Sequence, residues 1–249
     1  MRPRAIFVTS RKGGVSKTKI ARLIGEMHRE AETGAILVDA DMAVGQFAKH
    51  LGLRGEDGKL LVPQPIEGVF TLDWHNNVKA RDEIANYLAY GKDMIVDMPG
   101  GSLDGLKALD DEAGLFGIVE ASGFEVTFIS PVTPWVETWS DAQKVRKSFP
   151  SAAHVIVVNH DFGDDDDFKR WTASETRREL LAGGSREIDL PLLKSGVAAD
   201  IAFHRLRFHN APNQKLDVLD RGRAYKWLIA AKSAVSQVAD LLAIPSEVA

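Results

Sequence analysis

The chain predicts an α/β fold, a doubly wound and mostly parallel sheet flanked by helices, and three observations carry that prediction. Apolar strand-like runs alternate with helix-like stretches along most of its length. A Gly-Gly loop joins the first such run to the first helix-like stretch, and later runs end in aspartate or asparagine. With 249 residues, 45% of them hydrophobic, the chain is near the upper size for one core, so a single domain over residues 1–249 is the simplest division.

In order, Ala5-Ile6-Phe7-Val8 reads as the first strand and Lys17 to Ala31 as the first helix, stopped at Gly34. Ala35 to Asp41 is a second strand. Residues 53–70, rich in Gly and Pro, form a surface loop. Lys79 to Ala89 is helical and stops at Gly91, and Met94 to Asp97 is a strand followed by Met98-Pro99-Gly100-Gly101. Then come strand Glu125 to Val132, helix Trp135 to Phe149 before Pro150, strand His154 to Asn159, helix Phe168 to Leu181, strand Glu187 to Leu192 and helix Arg223 to Leu242. Trp135, Trp139, Trp171 and Trp227 fall at helix positions, where core packing is the default.

Arg11-Lys12-Gly13-Gly14-Val15-Ser16-Lys17-Thr18 sits between strand and helix, where backbone N–H groups and a helix N-terminus can cradle phosphate. Lys17 and Thr18 would supply the cation and the Mg²⁺-facing hydroxyl of the pattern G-x-x-x-x-G-K-[ST], although Arg11 and Ser16 replace its outer glycines. A Cβ at Ser16 strains the loop if φ there is positive. In an open parallel sheet, ligands bind beyond the carboxyl ends of the strands, so this loop, Asp39 with Asp41, and Asp97 can meet at one edge. Taken singly, an Asp ending a strand is more often a helix cap or turn former.

The run Lys12-Gly13-Gly14-Val15-Ser16-Lys17-Thr18 resembles the deviant Walker A motif, K-G-G-x-G-K-[ST], of the ParA/MinD family of dimerising ATPases. That resemblance implies a P-loop NTPase fold binding ATP with Mg²⁺ along Lys12, Gly13, Gly14, Val15, Ser16, Lys17, Thr18 and Lys19. It implies that Lys17 holds the β- and γ-phosphates, while Lys12 reaches the nucleotide of a partner subunit in an ATP-dependent homodimer. Asp39 and Asp41 match a D-x-D switch, Asp39 near the metal and Asp41 orienting water. Asp97 matches the carboxylate that supports Mg²⁺ together with Thr18, and Gly100 would let the switch backbone respond to the γ-phosphate. Asn159 and Pro191 fall where the family contacts the base. The family continues D-x-D-P-Q, whereas Met42-Ala43 stands here.

Other chemistries find less support. Cysteine is absent, which removes disulfides, thiol nucleophiles and Cys-based zinc sites. The histidines show no H-E-x-x-H or H-x-x-x-H spacing, and Asp164 to Asp167 read as a solvated loop. No run approaches a membrane span, Met1-Arg2-Pro3-Arg4 leads into a strand too short for a signal segment, and Leu241 to Ala249 lacks Lys and Arg. A cytoplasmic protein without stable membrane anchoring is expected. The net charge of −4 argues against a surface that binds DNA all over. Lys144, Arg146 and Lys147 cluster at one helix end, and Arg205, Arg207, Lys215, Arg221, Arg223, Lys226 and Lys232 make the late region basic. Non-specific DNA binding there is one reading, and a solvated helix face with cations near helix ends is the other.

The functional expectation is a slow ATPase switch, stimulated by a partner protein, acting in DNA or plasmid partitioning or positioning. A nucleotide-dependent scaffold with little turnover, for example in conjugative DNA transfer, is the alternative. A small-molecule kinase on the same loop is a third reading.

Overall fold

Seven strands form one sheet in the order β3-β2-β4-β1-β5-β6-β7 in the computed structural model, which describes residues 2–41, 44–210 and 215–245. They are β1 Arg4–Val8, β2 Ile36–Asp39, β3 Phe70–Thr71, β4 Met94–Asp97, β5 Glu125–Val132, β6 Ala153–Asn159 and β7 Arg186–Leu190. Every pairing between them is parallel. The sheet is thus wholly rather than mostly parallel. Strand order reverses direction at β1, and the loop that leaves β1 opens into the crevice this reversal creates.

The helices are α1 Lys17–Glu30, α2 Gln46–Leu51, α3 Val78–Tyr87, α4 Ser102–Ala113, α5 Leu115–Ala121, α6 Val136–Ser148, α7 Lys169–Ala173, α8 Glu175–Ala182, α9 Ser195–Phe203 and α10 Val218–Ser236. Strand residues alternate between two cores. Ile6, Val8 and Leu37 pack with Ile20, Leu23, Ile24 and Met27 of α1, while Ala5, Phe7, Ile36 and Val38 pack with Leu103, Leu106 and Phe116 of α4 and α5. Burial on both faces is why these strands read as unbroken apolar runs. In α1 every residue from Ile20 to His28 is buried, so the helix is enclosed on all sides there, and Gly25 lets Leu37 and Leu51 approach so closely that a Cβ there would lie 3.3 Å from each.

Several expected boundaries move, each for a local reason. The helix expected from Phe168 to Leu181 is two, because Ser174 turns to extended backbone and its side chain accepts the Arg177 N–H as the cap of α8. The last long helix begins at Val218, five residues before Arg223, and a 3-10 turn, Ala239–Leu242, follows it. Trp135 lies outside α6 at its N-cap and is 46% exposed, so core packing holds for Trp139, Trp171 and Trp227 but not for Trp135. Met42, Ala43 and residues 246–249, on which the altered-switch and tail readings rested, lie outside the described residues.

Candidate nucleotide site

Register brings the expected carboxylates together. Asp39 and Asp97 are direct partners across β2 and β4, and Asp97 also pairs with Val8, the last residue of β1. All three strands therefore end at the root of the glycine loop. Gly100, just past β4, packs on this loop: a Cβ there would sit 3.4 Å from the Gly13 Cα and N. A Cβ built on Gly13 or Gly14 meets no protein atom within 4 Å, so the loop faces open space on that side, and Gly14 has φ +72°.

Lys17 opens α1 as a buried residue, 7% exposed, its ammonium donating to the Lys12 carbonyl at 3.1 Å. Burial lowers its pKa, against the attraction of Asp97, Asp41 and Asp141. Asp97 is 2% exposed, and burial raises its carboxyl to about 7 despite a hydrogen bond from Thr18. Its Oδ1 is buried without a partner. Asp39 is raised to about 6 by burial, although its oxygens accept the Asp41 N–H at 3.1 Å and the Ala48 N–H at 2.8 Å. Asp39 thus ties β2 to the first turn of α2, the capping role that a strand-end aspartate takes by default. Asp41 is half-buried, and its carbonyl accepts the Val44 and Gly45 N–H groups.

The donor set suits a divalent cation. An orphaned carboxylate oxygen on Asp97, the adjacent Thr18 hydroxyl and the nearby Asp39 provide oxygen ligands beside open space, and the depressed ionisation of the two carboxyls is what a bound cation reverses. Among the described residues no group of three or more His, Asp or Glu could hold a metal by itself, so phosphate oxygens and water would complete the shell.

Ser16 is the N-cap of α1 and has φ +67°, the left-handed conformation its missing glycine would favour. Its hydroxyl donates to Asp161 Oδ2 at 3.3 Å, and Lys19 forms an ion pair with the same oxygen. Asn159 is fully buried. Its amide donates to the Val15 carbonyl at 3.3 Å and accepts the Asp161 N–H at 3.2 Å, so it fastens the phosphate loop to β6. Pro191 accepts the Trp227 indole N–H through its carbonyl at 2.9 Å. Beside these residues a cavity of about 650 Å³ is lined by His160, Asp161, Gly163, Leu192 and the exposed acidic run from Asp164.

Lys12 is not directed into the loop. Its ammonium lies 4.7 Å above the Trp135 ring and 3.8 Å from Glu137. Two contributors went unread in the sequence. Asp141 of α6 gathers the Ser10 hydroxyl and the Arg11 and Lys12 N–H groups on one oxygen, at 3.0, 2.9 and 3.2 Å. Asp161 does the same for the other half of the loop. The available signal for Asp141 was a carboxylate among the core-facing positions of α6, where Thr138, Ala142 and Val145 are buried. In the late basic region, Arg223 pairs with Asp220 and Lys232 with Glu30, while Arg146 binds the Pro150 and Ala152 carbonyls beyond α6. No helix among the described residues is long and apolar enough to cross a membrane.

No protein-family model matches the chain, and no curated protein matches its sequence. Solved structures do. A chain of the MinC:MinD cell division protein complex of Aquifex aeolicus superposes with a TM-score of 0.53 at 15% identity, covering 90% of this chain and 94% of that one. The MinD cell division protein of Aquifex aeolicus gives 0.49 at 19% identity over 90% and 95%. A nucleotide-binding protein from Archaeoglobus fulgidus in complex with ADP gives 0.44 at 14% identity over 82% and 88%. The first of these establishes the fold: a MinD-like P-loop sheet, as the glycine loop implied.

Proposed function

We propose that the chain is a single-domain, ATP-binding switch of the ParA/MinD type that hydrolyses ATP slowly with Mg²⁺ and dimerises around it. The observation that carries this reading is the cluster of buried Lys17 and Asp97 with half-buried Thr18 at the root of an open glycine loop, one Asp97 oxygen lacking a protein partner. Loop amides from Gly13 to Thr18 and the Lys17 ammonium bind the phosphates, with Val15 and Ser16 shaping the turn and Lys19 bracing it. Thr18, Asp97 and Asp39 would hold Mg²⁺, which supplies charge neutralisation on the β- and γ-phosphate oxygens when bound. Asp41 orients water. Lys12, once released from Trp135 and Glu137, offsets transition-state charge in the partner's site. Asn159 and Pro191 frame the base side, through backbone position more than through free polar atoms, since the Asn159 amide is already engaged.

DNA or plasmid partitioning is the process this reading favours, with DNA met by the late basic region, including Arg221 and Arg223, and with an activating partner protein. The scaffold alternative has its own support: the left-handed Ser16 and the Lys12 held on Trp135 both favour slow turnover. Calorimetry with Mg-ATP tests the binding, and no heat of association from folded protein would end the proposal. A turnover assay with and without DNA separates switch from scaffold. An ATP-specific dimer, lost in Lys12→Ala, would exclude the small-molecule kinase.

A further inference from the structure

Asp161 occupies a junction that phosphate binding alone does not require. Its Oδ2 takes the Ser16 hydroxyl at 3.3 Å and the Lys19 ammonium, gripping α1 at its cap and one turn in. Its Oδ1 takes the Leu193 N–H at 3.0 Å. Leu192, the neighbour of Leu193, lines the 650 Å³ cavity on the base side, and Asp161 is itself part of that lining. A carboxylate is planar and rigid, so a displacement of the loop after β7 is passed directly to the phosphate loop. Asn159 adds a parallel strut, from the Asp161 N–H to the Val15 carbonyl. The far wall is held as well, because Trp227 binds the Pro191 carbonyl and lies 5.4 Å from the Lys19 ammonium.

Resting on the nucleotide reading above, we propose that Asp161 is a positioning residue that couples filling of the base-side cavity to the shape of the phosphate loop, and so selects nucleoside triphosphates over bare polyphosphates. Ser16 is its grip on the loop. Glycine at this position would take the left-handed conformation freely but would leave Asp161 without that contact, and alanine would keep the strain and lose the contact.

The test is calorimetric titration of Mg-ATP and of Mg-tripolyphosphate into wild type, Asp161→Asn, Ser16→Ala and the double variant. Asp161→Asn is expected to weaken ATP about tenfold and tripolyphosphate less than about threefold. Ser16→Ala lowers the same ratio by a smaller factor, and the double variant matches Asp161→Asn, as residues acting in one contact do. Equal weakening of both ligands by Asp161→Asn, or full additivity in the double variant, overturns the coupling. If Asp161→Asn does not fold, Ser16→Ala decides alone, and an unchanged ratio overturns it. Failure of wild type to bind either ligand removes the nucleotide reading itself.

Discussion

Two buried polar groups, His154 and Asp97, show how differently the two ends of this sheet are finished. His154 lies near the start of β6, and each ring nitrogen meets a serine hydroxyl at 2.9 Å, Ser185 on one side and Ser130 on the other. Asp97 ends β4 at the opposite edge, equally buried, with one oxygen unpartnered. Serines can donate or accept, so the histidine is satisfied whatever its tautomer. The aspartate keeps one oxygen unpaired beside a loop that presents open space. Glu26 also has an unpartnered oxygen, but Arg22 stands 4.0 Å away and His209 binds its other oxygen. The comparison sets a polar group that the fold satisfies beside one that it leaves unpaired at the proposed phosphate site.

The sharpest way to break this contrast is Lys17→Ala. Its ammonium donates to the Lys12 carbonyl within the loop and is attracted by Asp97, so its removal is expected to weaken Mg-ATP by about 100-fold or more. Calorimetry beside a circular dichroism spectrum of folded variant checks this, and an affinity within a few-fold of wild type would detach the buried cluster from phosphate binding.

Next in size is the acid response of the satisfied end. Burial, with Arg146 nearby, lowers the His154 pKa to about 3, while an unfolded histidine titrates near 6.5. The unfolded chain therefore gains a proton that the folded one refuses. Stability from this group is complete above pH 6.5 and falls as pH drops toward 3, by about 2 kcal/mol at pH 5. Urea midpoints from pH 4 to 7 should show a shallower acid loss in His154→Gln than in wild type. The loss should not vanish, because burial also holds His28 and His50 below their ordinary values. Parallel curves would mean that His154 accepts its proton in place.

At the unsatisfied end the sign reverses. Asp97→Asn replaces a desolvated, incompletely paired charge with a neutral amide and should stabilise the ligand-free protein by about 1 kcal/mol at pH 7.5. Chelating Mg²⁺ should weaken ATP binding more in wild type than in the variant, where only Thr18 and Asp39 remain to hold the cation. A destabilised Asp97→Asn would show that the carboxylate serves the fold, as Asp39 does for α2.

The same division explains what was readable in the sequence. Strands buried on both faces announce themselves, and the glycine loop, Asp39 and Asp97 are legible because each motif is contiguous and ends a strand. Most elements missed carry weak local patterns: β3 has two residues, α2 has six, α5 has seven, and α9 is apolar with little polar face. The exception is α4, twelve residues with Leu103, Leu106 and Leu109 buried at helical spacing, which was legible and went unread. Asp141 and Asp161 escaped for another reason. Each meets loop residues 129 to 145 positions away, a pairing created by β5 lying beside β1 and β6 beside β5, and invisible to any window of sequence. The resemblance assigns Lys12 to the nucleotide of a partner subunit, and its seat on Trp135 depends on the one tryptophan the fold leaves exposed.

The smallest effect tests how the departure at Ser16 is tolerated. A non-glycine residue in the left-handed region costs about 1–2 kcal/mol, and a hydrogen bond to a carboxylate returns about the same. Ser16→Gly removes both, so its urea midpoint should correspond to a stability change below about 0.5 kcal/mol. Ser16→Ala keeps the strain, loses the bond to Asp161 and should fall by about 1 kcal/mol. If the glycine variant is instead clearly more stable than wild type, the Asp161 contact contributes little and the serine is simply strained. If it is clearly less stable, the contact outweighs the strain, and the serine holds this loop better than the glycine it replaces.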